Sequence, residues 1–163
     1  MSKKGTIMTT KQVLKIHLLF IFILTCLTAC NNNNETSMRI FQRVTNDYNF
    51  EETLLNLDIA ISEHNYRIIH RSNIGQAVRD RGEENYPLST VISFCNITYA
   101  KEMMEINSDL INDMPCIVTV REEREGIVVG TKLMVTNTSN NRQNDFANRI
   151  NINLISIVEA TVE

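Results

Sequence analysis

Tryptophan is absent from the 163-residue chain, and glycine and proline are scarce, with five and two copies. So little Pro and Gly excludes a collagen-like repeat and a Pro-rich linker. Five glycines leave no Gly-rich phosphate cradle, and neither a His-Glu-x-x-His helix nor a Gly-x-Ser-x-Gly elbow occurs. Four cysteines are too few for a disulfide scaffold. Basic charge is not in excess: 16 Lys+Arg stand against 19 Asp+Glu, a net charge of −3. That balance gives no reason to expect a nucleic-acid partner, which calls for a concentrated basic face. What is present is an ordinary apolar content of 43%, which excludes wholesale disorder. The length fits about one domain.

The first 29 residues read as an address rather than as part of the fold. Lys3, Lys4, Lys11 and Lys15 form a positive region without an acid, and Leu18 to Leu24 is an unbroken apolar run that fades out at Ala29. That run falls well short of the ~20 residues that cross a bilayer as a helix. It ends in Leu27-Thr28-Ala29-Cys30, which resembles the lipobox of bacterial lipoproteins. The resemblance implies that a diacylglycerol joins the Cys30 thiol, that cleavage precedes Cys30, and that the new amino terminus is acylated, palmitate being one such chain. Two or three chains anchor a protein stably where one does not. An ordinary secretory signal and an uncleaved anchor are the alternatives. No Asp follows Cys30, which leans toward an outer membrane where there is one. The domain is then expected at the cell membrane or outer membrane, facing the periplasm or the outside. Residues 30–37, with Asn31 to Asn34, form a polar tether. Without the four signal lysines, 12 basic residues face 19 acidic ones, a net charge of −7. The lipid, not a basic patch, is the expected membrane contact.

Residues 38–163 read as a single α+β domain. Met38 to Thr45 suits a first strand. Asn49 and Glu52 stand at capping-box spacing ahead of Phe50, Leu54, Leu57 and Ile61, which predicts a helix over 50–64 closed by a left-handed Asn65. Tyr66 to Arg71 suits a strand, 73–81 a short helix, and Gly82 to Pro87 a loop. Ser89 to Cys95 is β-branched enough for a buried strand. Asn96 can cap a helix from Ile97 to about Ile106. Past a polar turn and Pro115, Cys116 to Arg121 and Ile127 to Val135 suit a hairpin about a charged turn. Thr136 to Asn144 reads as loop. A last helix carries Phe146, Ile150, Leu154, Ile157 or Val158, and Thr161 on one face. The order β-α-β-(α)-β-α-β-β-α predicts a mixed sheet of roughly five strands with packed helices, large enough to hold a core without staples.

Three stretches resemble the bacterial and archaeal DUF302 family, a domain of unknown function. They are Phe50-Glu51-Glu52-Thr53 with the Asn65-Tyr66 turn, Phe94-Cys95-Asn96 ahead of Tyr99-Ala100, and Asp109-Leu110 with Met114-Pro115-Cys116 and the apolar run after it. The resemblance covers roughly residues 38–134. It departs at Ile97, where the family has Pro, and at Ile117, where it has Asn. It implies a compact α+β domain, often dimeric, without an agreed activity.

Cys95 and Cys116 are the only thiols beyond the signal and Cys30. Their spacing is not that of a Cys-x-x-Cys redox motif. Inert packing as small hydrophobes, a structural disulfide, and a functional thiol pair all remain open. With Asn96 they form the candidate ligand site. His64 and His70 lack metal-ligand spacing, so neither a metal nor a cofactor is indicated. Met103, Met104 and Met114 could suggest copper, but adjacent residues on a helix point apart, which favours packing in a core. Arg67 and Arg71, an even number apart, are expected on one strand face with His70 on the other; with Arg79 and Arg81 they sketch a basic patch. The chain offers no catalytic residues for a classical reaction. It reads as a lipid-anchored envelope domain that binds a small ligand or a partner protein. The alternatives are a thiol-dependent redox or metal-handling role at Cys95 and Cys116, and a structural homodimer.

Overall fold

The computed structural model describes residues 39–163. The expected signal segment, Cys30 and the tether lie outside the described residues. The elements run β1 (Ile40–Thr45), α1 (Phe50–Glu63), β2 (Arg67–Asn73), α2 (Ile74–Arg79), β3 (Ser89–Cys95), α3 (Ile97–Ile106), a 3-10 helix (Ser108–Asp113), β4 (Cys116–Glu123), β5 (Gly126–Lys132) and α4 (Asn141–Val162).

Local chemistry explains the helix starts. Asn49 Oδ1 accepts from the Glu52 N–H, while Glu52 Oε2 accepts from the Asn49 N–H, each at 3.0 Å. This reciprocal cap satisfies two donors that a helix start leaves orphaned. Asn65 ends the segment at φ 61°, a left-handed conformation that Asn tolerates. Asn96 caps α3 and Asn140 caps α4. α4 starts inside the Asn-rich stretch expected to be loop, because Asn140 supplies the cap and Phe146 already faces the core.

The five strands form one sheet in the order β1-β5-β4-β3-β2, and every pairing is antiparallel. The expected mixed sheet is thus wholly antiparallel. The β1-α1-β2 unit does not create a parallel pair, since α1 carries the chain from one sheet edge to the other. Alternation along β3 buries Thr90, Ile92 and Phe94, and β4 buries Val118 and Val120 on the same side. Leu57 and Ile61 of α1, and Phe146, Leu154 and Ile157 of α4, complete the core against them. Full burial of each such side chain contributes roughly 1.5–3 kcal/mol. The opposite sheet face keeps Gln42, Val44 and His70 exposed.

One irregularity changes which residues share a face. Ile68 lies opposite Phe94 and Arg71 opposite Ile92, with the register shifting between Ile68 and His70. This extra residue breaks the period of two. Arg71 therefore sits on the helix-covered face, where it pairs with Asp58 of α1, while Arg67, opposite Cys95, sits on the other face. The expected sharing of a face by Arg67 and Arg71 is corrected by that bulge. Arg79 pairs with Glu122, so two of the four arginines of the supposed basic patch answer internal carboxylates.

Candidate functional site

A cavity of ≈ 170 Å³ opens where the end of the sheet meets α3, the 3-10 helix and α4. Tyr66, Phe146, Ile150 and Leu154 give it an apolar floor. Its outer side is polar: Asn112, Asp113 and Lys132 line it and are exposed. Lys132 Nζ and Asp113 Oδ1 approach to 3.7 Å across this mouth. Such an exposed pair adds little stability, but it links the 3-10 helix to the end of β5.

The floor is fixed by aromatic contacts and by two asparagines. The Tyr66 ring meets Phe94 edge-on, with centroids 5.3 Å apart and planes at 88°, and lies 5.8 Å from Tyr99. Both separations suit the ring quadrupoles. The Tyr66 hydroxyl accepts from Asn153 Nδ2 at 3.3 Å. Burial is the main cause that pushes the Tyr66 phenol up to about 12. Asn151, a buried polar residue of α4, binds the backbone of Met134 in both directions: its Oδ1 accepts from the Met134 N–H at 2.8 Å and its Nδ2 donates to the Met134 carbonyl at 3.0 Å. That clamp sets the wall beyond β5.

Cys95, Asn96 and Cys116, the residues singled out in the sequence, all line this one cavity. Cys116 pairs directly with Phe94, and Cys95 and Asn96 follow Phe94 where β3 ends and α3 is about to begin. Neither cysteine is in a disulfide. Burial pushes the Cys95 thiol up. It also pushes the Cys116 thiol up, to about 11, with the neighbouring Cys95 adding to the shift. Both are therefore protonated at neutral pH. A nucleophilic cysteine needs the opposite environment, one that lowers the pKa. Asn96 acts in positioning: its Oδ1 accepts from the Thr98 and Tyr99 N–H groups at 2.9 and 3.2 Å, and its Nδ2 donates to the Asn65 carbonyl at 2.9 Å.

The histidines stay outside. His64 Nδ1 bonds the Ala60 carbonyl at 2.8 Å at the end of α1, and His70 Nε2 bonds Ser72 Oγ at 3.0 Å. Among the described residues, no three His, Cys, Asp or Glu side chains converge as a metal site. Sequence reasoning missed Tyr66, Met134 and the 3-10 helix as parts of the cavity, and Asn151 as the residue that holds the Met134 backbone. Asn151 did carry a signal: it is a polar residue next to Ile150 on the apolar face of an amphipathic helix.

None of the curated proteins matches the chain. A crystal structure titled as that of an uncharacterized conserved protein DUF302 from Bacillus stearothermophilus is similar, with a TM-score of 0.68 and 14% identity, over 77% of this chain and 99% of that one. At that identity the likeness speaks for the fold. The family model described as "Domain of unknown function DUF302" matches residues 42–161. With the five-stranded antiparallel sheet and its packed helices, that match places the chain in the DUF302 family.

Proposed function

We propose that the domain is a non-catalytic binding module whose small ligand occupies the cavity between the sheet end, α3 and α4. One observation carries this reading: an apolar floor opens toward a few polar groups, Asn112, Asp113 and Lys132, at an exposed mouth. That is the general form of a small-molecule site. The volume of ≈ 170 Å³ is of the size that admits a single small ring, since a dry cavity of about 150 Å³ takes up benzene. Two half-buried thiols held protonated at neutral pH give no activated nucleophile, which favours binding over catalysis.

The same proposal places the module at a membrane through lipid on Cys30, in the envelope and outside the cytoplasm. Its support is the order of basic residues, apolar run, Leu27-Thr28-Ala29-Cys30 and polar tether. A homodimer through the open sheet face is compatible with this arrangement, because the cavity lies on the helix-covered side.

The binding reading is tested with the full chain carrying ¹³C-methyl methionine and a panel of small, mostly apolar fragments. The methyl signals of Met103, Met114 and Met134 line the cavity and should move together. A panel that moves none of the three overturns the proposal.

A further inference from the structure

The described residues contain six sulfur side chains: Cys95, Met103, Met104, Met114, Cys116 and Met134. Five of them, all but Met104, line the one cavity. They arrive from separate places in the chain. Cys95 ends β3, Met103 lies in α3, Met114 and Cys116 flank Pro115 before β4, and Met134 follows β5. A core that merely needed filling has no reason to gather its sulfurs around a single cavity, since leucine fills space as well. The clamp of Asn151 on the Met134 backbone holds that residue beside the cavity.

We infer that the sulfur-lined cavity is a binding site for a soft monovalent metal ion, Cu(I) by preference. Thiolates and thioethers select Cu(I) over harder cations, whereas zinc sites draw their ligands from Cys, His and carboxylates. No third such ligand converges with the two cysteines among the described residues. In the binding step Cu(I) displaces the proton of each thiol it takes: an S–H bond breaks, an S–Cu bond forms, and the proton leaves to solvent. No electron is transferred. The thioethers bind as neutral donors. This inference goes beyond the fragment-binding reading: it concerns the sulfurs of the same cavity, and separate titrations with Cu(I) and with fragments distinguish the failure of one from the failure of the other.

The experiment is an anaerobic titration of the reduced full chain with Cu(I) in competition with bicinchoninate. The background carries C26S and C30S, so that Cys95 and Cys116 are its only thiols. One ion per chain, with only sulfur in the first shell by X-ray absorption, is expected. C95S and C116S should each weaken binding by about tenfold or more, which is 1.4 kcal/mol or more. Met103→Leu and Met134→Leu conserve volume, the kind of swap that cores tolerate best, and should also weaken binding. Met104→Leu, off the cavity, should leave affinity unchanged. Failure to hold copper against the chelator, nitrogen or oxygen ligation, or full affinity in the C95S/C116S double variant overturns the inference. Fragments that bind while Cu(I) does not would overturn it too, leaving the binding reading intact. Cu(I) bound without any fragment would support it alone.

Discussion

Asn96 reaches 31 residues back along the chain: its Nδ2 donates to the Asn65 carbonyl at 2.9 Å while its Oδ1 caps α3. One side chain thus ties the left-handed turn before Tyr66 to the helix that carries Tyr99 and Met103. Replacing it removes a cap and a tertiary bond together. Asn96→Ala should cost about 1–2 kcal/mol in urea denaturation. Asn96→Ser, which restores the cap but cannot reach Asn65, should fall between. An Ala variant as stable as the parent contradicts this role.

Thiol chemistry offers a second test. The folded domain holds both cysteines protonated at neutral pH, Cys116 up to about 11. Maleimide labelling of the native protein near pH 7 should be much slower than in denaturant, and should accelerate as pH rises. Mass analysis resolves the two sites. Fast native labelling at either cysteine would mark an activated thiolate and move the redox reading forward.

The same groups set an alkaline limit on stability. Cys116 and Tyr66 bind their protons more tightly in the folded domain than at their ordinary values of 9.0 and 10.0. A folded pKa above the unfolded one gives stability that is complete below the unfolded value and is lost as pH rises through the folded one. The urea midpoint should hold to about pH 9 and then decline as pH approaches the folded values of about 11 and about 12. Cys116→Ala should flatten the first part of that decline. A midpoint that rises over this range contradicts the assignment.

Lipidation makes a prediction about location. Cys30→Ser should leave an unprocessed precursor or release the protein from membranes. Cell fractionation with mass analysis of the amino terminus checks it. A processed, membrane-bound C30S protein would remove Cys30 from the account.

Much of the fold was written in local signals. The Asn49–Glu52 capping box, the β-branched strand Ser89 to Cys95 and the Asn96 cap each depend on residues close in sequence, and each appears where expected. Other features rest on contacts that no local pattern encodes. The bulge after Ile68 puts Arg67 and Arg71 on opposite faces because pairing with β3, not the strand's own alternation, sets the register. The 3-10 helix at Ser108–Asp113 is short and polar, so its hydrophobic period is invisible; only Leu110 is buried. The candidate site divides the same way. Cys95 and Cys116 stood out by residue type, and their flanking strands placed them close. Met134 joins them from just beyond β5, where Asn151 of α4 bonds its backbone, a contact that no local pattern encodes.

The most direct test of the binding claim is the methionine-methyl spectrum of the full chain under titration with the fragment panel. Met104 lies in the same helix as Met103 but off the cavity, and so serves as an internal control. The account predicts saturable shifts at Met103, Met114 and Met134 with Met104 unmoved. Shifts at Met104 alone, or none at the three cavity methyls, would contradict it.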